Sequence, residues 1–199
     1  DSSMNISARP RVVIAEDEAI IRLDLKELLE EENYEVVGET GRGDEAVDLV
    51  RELVPDLVIL DVKMPGLDGL SAARQIASER LAAILILTAF SQRELVEQAR
   101  DAGALAYLVK PFNKSDLVPA IEVALARHSE LTSLERHVED LEHRLEARKL
   151  IDRAKGRLMN DYGFDEHSAW RFIQTQAMQR RAKIGDVARL VIDGEISPA

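Results

Sequence analysis

The sequence predicts an α/β doubly wound domain on a five-stranded parallel sheet, then a long helix with coiled-coil character and a small all-α domain of three helices. Three observations carry this. Short apolar runs alternate with amphipathic stretches five times from Arg11 to about residue 128. Beyond residue 125 the strand-like runs stop and apolar residues recur at 3-4-3-4 spacing. The remaining residues form three further helical stripes divided by turn residues.

The runs Val12-Val13-Ile14-Ala15, Leu57-Val58-Ile59-Leu60 and Ile84-Leu85-Ile86-Leu87 are apolar throughout, as strands covered on both faces tend to be. Tyr34-Glu35-Val36-Val37 and Leu105-Ala106-Tyr107-Leu108-Val109 complete the set. Between them, Ile20, Leu23, Leu25, Leu28 and Leu29 form one helical stripe, and Ala46, Val47, Leu49, Val50 and Leu53 another. Further stripes run through 67–79, 92–102 and 115–127. Right-handed crossovers put helices on both faces of the sheet. This domain spans 11–128. Residues 1–10, beginning Asp1-Ser2-Ser3-Met4, read as a disordered N-terminus with an expression remnant.

Leu131, Leu134, Val138, Leu141 and Leu145 make a seam of about two heptads over 129–147, either a dimer contact that prolongs the fifth helix or a single helix packed on its own domain. From 148 to 199 the stripe shifts. Leu150, Ile151, Ala154 and Leu158 belong to one helix, which Tyr162-Gly163 ends. Ala169, Trp170, Phe172, Ile173 and Ala177 lie on a second, where Trp170 and Phe172 read as core, and Ile184, Val187, Ala188, Val191 and Ile192 lie on a third. Three short helices make a small domain that needs support from its neighbours.

The 199 residues are 46% hydrophobic and 32% charged, a composition with enough apolar material for a real core. There is no cysteine, which excludes disulfides, thiolate metal sites and cysteine nucleophiles and suits a reducing cytoplasm. No apolar run approaches the roughly 18 residues of a membrane span. The net charge of −11 argues, taken whole, against nucleic acid. It is unevenly spread, however: residues 143–190 carry +5, residues 1–142 carry −14 and residues 191–199 carry −2. Two modules with different partners are expected.

In a doubly wound sheet, active groups gather at the carboxyl ends of the strands. Glu16 and Asp17 follow the first run, Asp61 the third, Thr88 the fourth and Lys110 the fifth, with Pro111 next. Carboxylates brought together repel unless a cation sits among them, and oxygen ligands in a partly open site suit Mg²⁺. A carboxylate such as Asp61 can attack a phosphoryl group while Lys110 neutralises its oxygens and Thr88 donates a hydroxyl.

Residues 11–128 resemble the receiver domain of two-component response regulators, a flavodoxin-like fold. The matching residues are Glu16-Asp17, the stretch Leu60-Asp61-Val62-Lys63-Met64-Pro65-Gly66-Leu67-Asp68-Gly69, Thr88-Ala89, Tyr107 and Lys110-Pro111-Phe112. The resemblance implies phosphate transfer from a sensor histidine kinase to Asp61, with Mg²⁺ held by Glu16, Asp17, Asp61 and the backbone carbonyl of Lys63. It implies that Thr88 and Tyr107 move as a switch, that Lys110-Pro111 is a cis peptide, and that the chain is a phosphoacceptor that promotes its own phosphotransfer and dephosphorylation rather than an enzyme.

The stretch Arg148-Lys149-Leu150-Ile151-Asp152-Arg153-Ala154-Lys155-Gly156-Arg157-Leu158-Met159, with Gly163, Glu166, Ala169-Trp170 and Lys183-Ile184-Gly185-Asp186-Val187-Ala188, resembles the ANTAR domain, an RNA-binding module of antitermination regulators. This implies binding of paired RNA hairpins in nascent transcripts. Among the cations of this segment, Arg153, Lys155, Arg157 and Arg181 are read as phosphate contacts, and the seam is expected to form a homodimer favoured by phosphorylation. Two other outputs stay open at this point: a DNA-binding transcription factor and a protein-interaction switch. The final helix, apolar apart from Arg189, is a poor DNA-recognition helix. The four histidines, His128, His137, His143 and His167, form no metal pattern.

Overall fold

A computed structural model describes residues 8–89 and 92–199. Of the N-terminal stretch 1–10 that the sequence sets apart, residues 1–7 lie outside the described residues. The chain divides into two compact units, with the division between Thr132 and Ser133.

In the first unit, β1 (Arg11–Ala15), β2 (Glu35–Thr40), β3 (Leu57–Asp61), β4 (Ala83–Thr88) and β5 (Ala106–Val109) form one parallel sheet in the order β2-β1-β3-β4-β5. Helices α1 (Ala19–Glu31), α2 (Gly43–Leu53), α3 (Gly69–Ser78) and α4 (Arg93–Asp101) connect the strands, and α5 (Lys114–Tyr162) begins after β5. Successive strand residues point to opposite faces. Val58, Leu60, Ile84 and Ile86 therefore pack with Ala46, Val50, Ala73 and Ile76 from α2 and α3. Leu57, Ile59, Leu85 and Leu87 pack with Leu25 and Leu29 of α1 and Leu117 and Ile121 of α5.

Two elements differ from the sequence reading. β2 continues to Thr40, because Gly38, Glu39 and Thr40 pair with Val13, Ile14 and Ala15. It is an edge strand, so its outer positions need not be apolar. In α1 only Leu25 and Leu29 of the five stripe residues are buried, while Ile20 is 78% and Leu23 56% exposed. These two sit on the opposite side of a 3.6-residue helix from Leu25 and Leu29.

In the second unit, the C-terminal part of α5 packs Ala154 and Leu158 against Ala169, Ile173 and Ala177 of α6 (Glu166–Arg180) and Val187, Ala188 and Val191 of α7 (Ile184–Ile192). The Asp165 carboxylate accepts from Ser168 N–H at 2.7 Å and so caps α6. The linker seam and the first output helix are thus parts of one continuous helix of 49 residues.

Leu85 is fully buried at the centre of the sheet. Leu85→Ala is expected to lower the unfolding free energy of the chain by about 2–5 kcal/mol, read by urea denaturation of the first unit's transition. A loss below about 1 kcal/mol would contradict this packing.

Candidate functional site

Four neighbouring strands deliver polar groups to one end of the sheet. Glu16 and Asp17 follow β1, Asp61 ends β3, Thr88 ends β4, and Lys110 follows β5. The strand order reverses between β1 and β3, which opens a crevice at their carboxyl ends. Backbone bonds hold the rim: Glu16 N–H donates to Thr40 O at 3.0 Å, Val62 N–H to Leu87 O at 3.2 Å and Lys110 N–H to Thr88 O at 2.7 Å.

Lys110 Nζ lies 2.7 Å from Glu16 Oε2 and 3.2 Å from Asp61 Oδ2. Glu16 is fully buried, and Asp61 and Thr88 are 6% and 1% exposed. Glu16 Oε1 accepts from Glu18 N–H at 3.2 Å, but Oε2, although beside the ammonium, receives no hydrogen bond of good geometry. A buried carboxylate oxygen in that state has unused acceptor capacity. Asp17 and Glu18 bring carboxylate oxygens within 4.8 Å of that of Glu16. An all-oxygen donor set at a partly open edge suits a hard divalent cation such as Mg²⁺.

Burial raises the pKa of Glu16 from 4.5 to about 7; the close Lys110 ammonium and the bond from Glu18 N–H oppose the rise, and the charge of Asp61 adds to it. Burial likewise raises Asp61, against the pull of the Lys110 charge. Burial works against the Lys110 ammonium too, yet its close contact with Glu16 and the charges of both carboxylates outweigh it and leave its pKa raised.

The sequence reading groups Glu16, Asp17, Asp61 and Lys63 as metal ligands. The tight carboxylate cluster is Glu16, Asp17 and Glu18, and Asp61 is tied to it through Lys110. Glu18 was missed; its signal is the third acid in the run Glu16-Asp17-Glu18. Lys63 lies in the loop 62–68, which is pinned at two points. Gly69 N–H donates to Val62 O at 2.8 Å and Gly43 N–H to Pro65 O at 3.2 Å. A Cβ on Gly43 would stand 1.8 Å from Leu67 O, and one on Gly69 1.9 Å from Asp61 O, so neither position tolerates a side chain. Lys110-Pro111 is cis, as the resemblance implies. Tyr107 is half-buried and hydrogen-bonded with Thr88; burial raises its pKa and that bond partly offsets the rise.

The four cations expected to meet RNA fall into two kinds. Lys155 Nζ sits 5.3 Å from the centre of the Trp170 ring and 3.7 Å from Glu166, with its side chain only 21% exposed. Arg157 donates to Ile192 O at the end of α7 and pairs with Asp161 at 3.4 Å. Both tie helices of this unit together. Arg153 and Arg181 are exposed and have no ion-pair partner among the described residues. Phe172 packs on the core and stacks edge-on to Phe164 at 6.1 Å, whereas Trp170 lies half-buried beneath Lys155 instead of joining the core as its stripe suggests.

A proton held by Glu16 in the folded state and released in the unfolded chain has a definite sign. The raised pKa contributes stability that is complete below about 4.5 and is lost as pH rises through about 7. In metal-free buffer, the thermal midpoint of the wild type relative to Glu16→Gln is therefore expected to fall between pH 4.5 and pH 7. A constant difference across that range would refute the buried, proton-holding Glu16.

The family profile described as response regulator receiver domain matches residues 12–122, and that described as ANTAR domain matches residues 139–192. The chain is 59% identical over 183 residues to the transcriptional regulatory protein PdtaR of Mycobacterium tuberculosis, covering 92% of this chain and 89% of that protein. Over 112 residues it is 39% identical to the chemotaxis protein CheY of Thermotoga maritima, covering 56% of this chain and 93% of that one. A two-component response regulator of the LuxR family from Aurantimonas sp. SI85-9A1 superposes with a TM-score of 0.56 at 36% identity, over 59% of this chain and 86% of that chain. With both profiles on one chain and PdtaR matched over 89% of its length, the protein belongs to the two-component response regulators that join a receiver domain to an RNA-binding ANTAR output domain and act by antitermination.

Proposed function

We propose that Asp61 accepts a phosphoryl group from a sensor histidine kinase, and that this controls the pairing of two ANTAR domains on RNA hairpins of nascent transcripts in the cytoplasm. The receiver is taken as 11–128, the linker as 129–147 and the output domain as 148–199. The observation that carries the reading is the buried Asp61 carboxylate at the end of β3, with Lys110 Nζ 3.2 Å from Oδ2.

An Asp61 oxygen attacks phosphorus, the bond from phosphorus to the histidine nitrogen breaks, and an acyl phosphate forms on Asp61. Lys110 neutralises the incoming phosphoryl oxygens, and the Thr88 hydroxyl donates to one of them. Glu16, Asp17, Asp61 and the carbonyl of Lys63 would hold Mg²⁺, whose charge eases the approach of two anions. The small Ala89 leaves room for the phosphoryl group, and the same groups serve its later hydrolysis. Because Thr88 is bonded to Tyr107, drawing its hydroxyl to the phosphate disturbs Tyr107 and the face of α4, β5 and α5 around it.

The seam residues Leu131, Leu134, Val138, Leu141 and Leu145 are between 49% and 62% exposed, a stripe that a second copy would cover. Dimerisation makes the second hairpin contact intramolecular. Hairpin loops offer splayed bases and phosphates. Of Arg153, Lys155, Arg157 and Arg181, the exposed Arg153 and Arg181 supply phosphate contacts, while Lys155 and Arg157 act chiefly on the domain's own packing.

With Mg²⁺ and a small-molecule phosphodonor, labelling of the wild type and its loss in Asp61→Asn are expected; a fully labelled variant would move the acceptor elsewhere. The double variant Leu134→Glu with Leu141→Glu should remain monomeric by light scattering when phosphorylated. Dimers of that variant would remove the seam from the proposal.

A further inference from the structure

We infer that the RNA backbone docks on one end of the ANTAR unit, on a patch made by Arg144 and Arg148 of α5 with Arg181 and Lys183 of the α6–α7 turn. This rests on the RNA-binding reading and specifies where on that unit it acts.

Three contacts fix the course of the helices. Lys155 reaches Trp170 and Glu166, so the start of α6 lies beside residue 155. A Cβ on Gly185 would be 3.4 Å from Ala147 Cβ, so the start of α7 lies beside residue 147. Arg157 bonds Ile192 O, so the end of α7 lies beside residue 157. Accordingly α6 runs back along α5 and α7 runs forward, and the α6–α7 turn meets α5 near Ala147. That places Arg181 and Lys183 at the end of the unit that carries Arg144 and Arg148. Arg144 and Arg148 are one turn apart and share a side of α5.

All four side chains are exposed and have no ion-pair partner among the described residues. The acid within this stretch of α5, Glu146, is paired with Lys149 at 3.5 Å. Asp186 lies in the first turn of α7, where it complements the helix dipole.

Arg181 stands at the α6–α7 turn itself. It ends α6 with φ 52°, in the left-handed region. Glycine or asparagine occupies this position at less strain in most helices that end this way. The exposed Arg181 side chain has no hydrogen bond or ion pair among the described residues, so it is open to an external anion. A guanidinium at a helix-ending turn, flanked by three more cations, fits phosphate oxygens.

The test uses the full chain, with the dimer formed by phosphorylation, and a pool of RNA hairpins with a constant stem and randomised loop. Duplex DNA of equal length is the competitor. Arg181→Gly is expected to weaken hairpin binding about three- to ten-fold and to reduce the slope of log K against log salt by about 1. Its unfolding midpoint should stay or rise, since glycine relieves the left-handed turn. Adding Arg148→Ala and Lys183→Ala should deepen both losses. Unchanged affinity and slope in this triple variant, with wild type still selecting hairpins, would overturn the patch and leave the RNA reading standing. Failure of the wild type to enrich any hairpin, or its preference for duplex DNA, would overturn the RNA reading and the patch with it.

Discussion

Two buried carboxylates around a single ammonium set the terms for the receiver. Glu16 and Asp61 are both nearly out of water, and Lys110 lies within 3.2 Å of each. One cation cannot neutralise two anions, and removing charges from water is costly unless they are paired and bonded. The arrangement relieves itself in one of two ways: Glu16 keeps a proton, which its pKa near 7 reflects, or a further cation enters. The site is therefore poised at the pH where ionic composition decides its state. Much of the surrounding fold serves to hold these groups in place. Parallel pairing fixes the strand ends in register, and two side-chain-free glycines let the loop after β3 pass close to Asp61 and to α2.

The sheet was largely legible because its central strands are short, wholly apolar runs that alternate with longer amphipathic stretches, and length rather than periodicity separates the two. The edge strand β2 was read short: Gly38-Glu39-Thr40 has no apolar signal, and only pairing with β1 makes it a strand. The α1 stripe was over-read, since Ile20 and Leu23 are as apolar as Leu25 and lie on the far side of the helix. At the candidate site, the residue types and their order in the sequence were enough to gather Glu16, Asp17, Asp61, Thr88 and Lys110 at one end of the sheet, where the structure has them. The contribution of Glu18 was not, because an acid just before a helix reads first as a capping residue. The close contacts of Gly43 and Gly69 lie between loops far apart in sequence and leave no local pattern.

In the output unit, sequence counted cations without distinguishing their tasks. Lys155 and Arg157 stand in the most basic stretch of the chain, yet each bonds to another helix of the same small domain. Three short helices bury little surface, so polar ties across their outer edges matter more than they would in a larger core. Trp170 shows the same economy from the other side. Its ring is not wholly buried, and it gives the Lys155 ammonium a face to rest on, a contact worth about 0.5–1 kcal/mol at a partly exposed site. A cation engaged in this way remains positive, but its geometry is committed to the fold.

The net charge of −11 does not oppose RNA binding once distance is considered. At physiological salt, exposed charges are screened beyond about 8 Å. Most of a phosphate's interaction is then with the few cations that touch it, and the acids of another surface count for little. What the charge distribution does limit is the number of contacts. Residues 143–190 hold a surplus of only +5, and part of that positive charge is tied within the domain. A single ANTAR unit thus engages few phosphates, and the affinity that follows is modest and salt-sensitive. Joining two such units makes the second encounter intramolecular, so pairing supplies by effective concentration what each unit lacks in charge. On this argument a weak individual interface would be an advantage for regulation: if phosphorylation pairs two units, as proposed above, binding depends on that pairing.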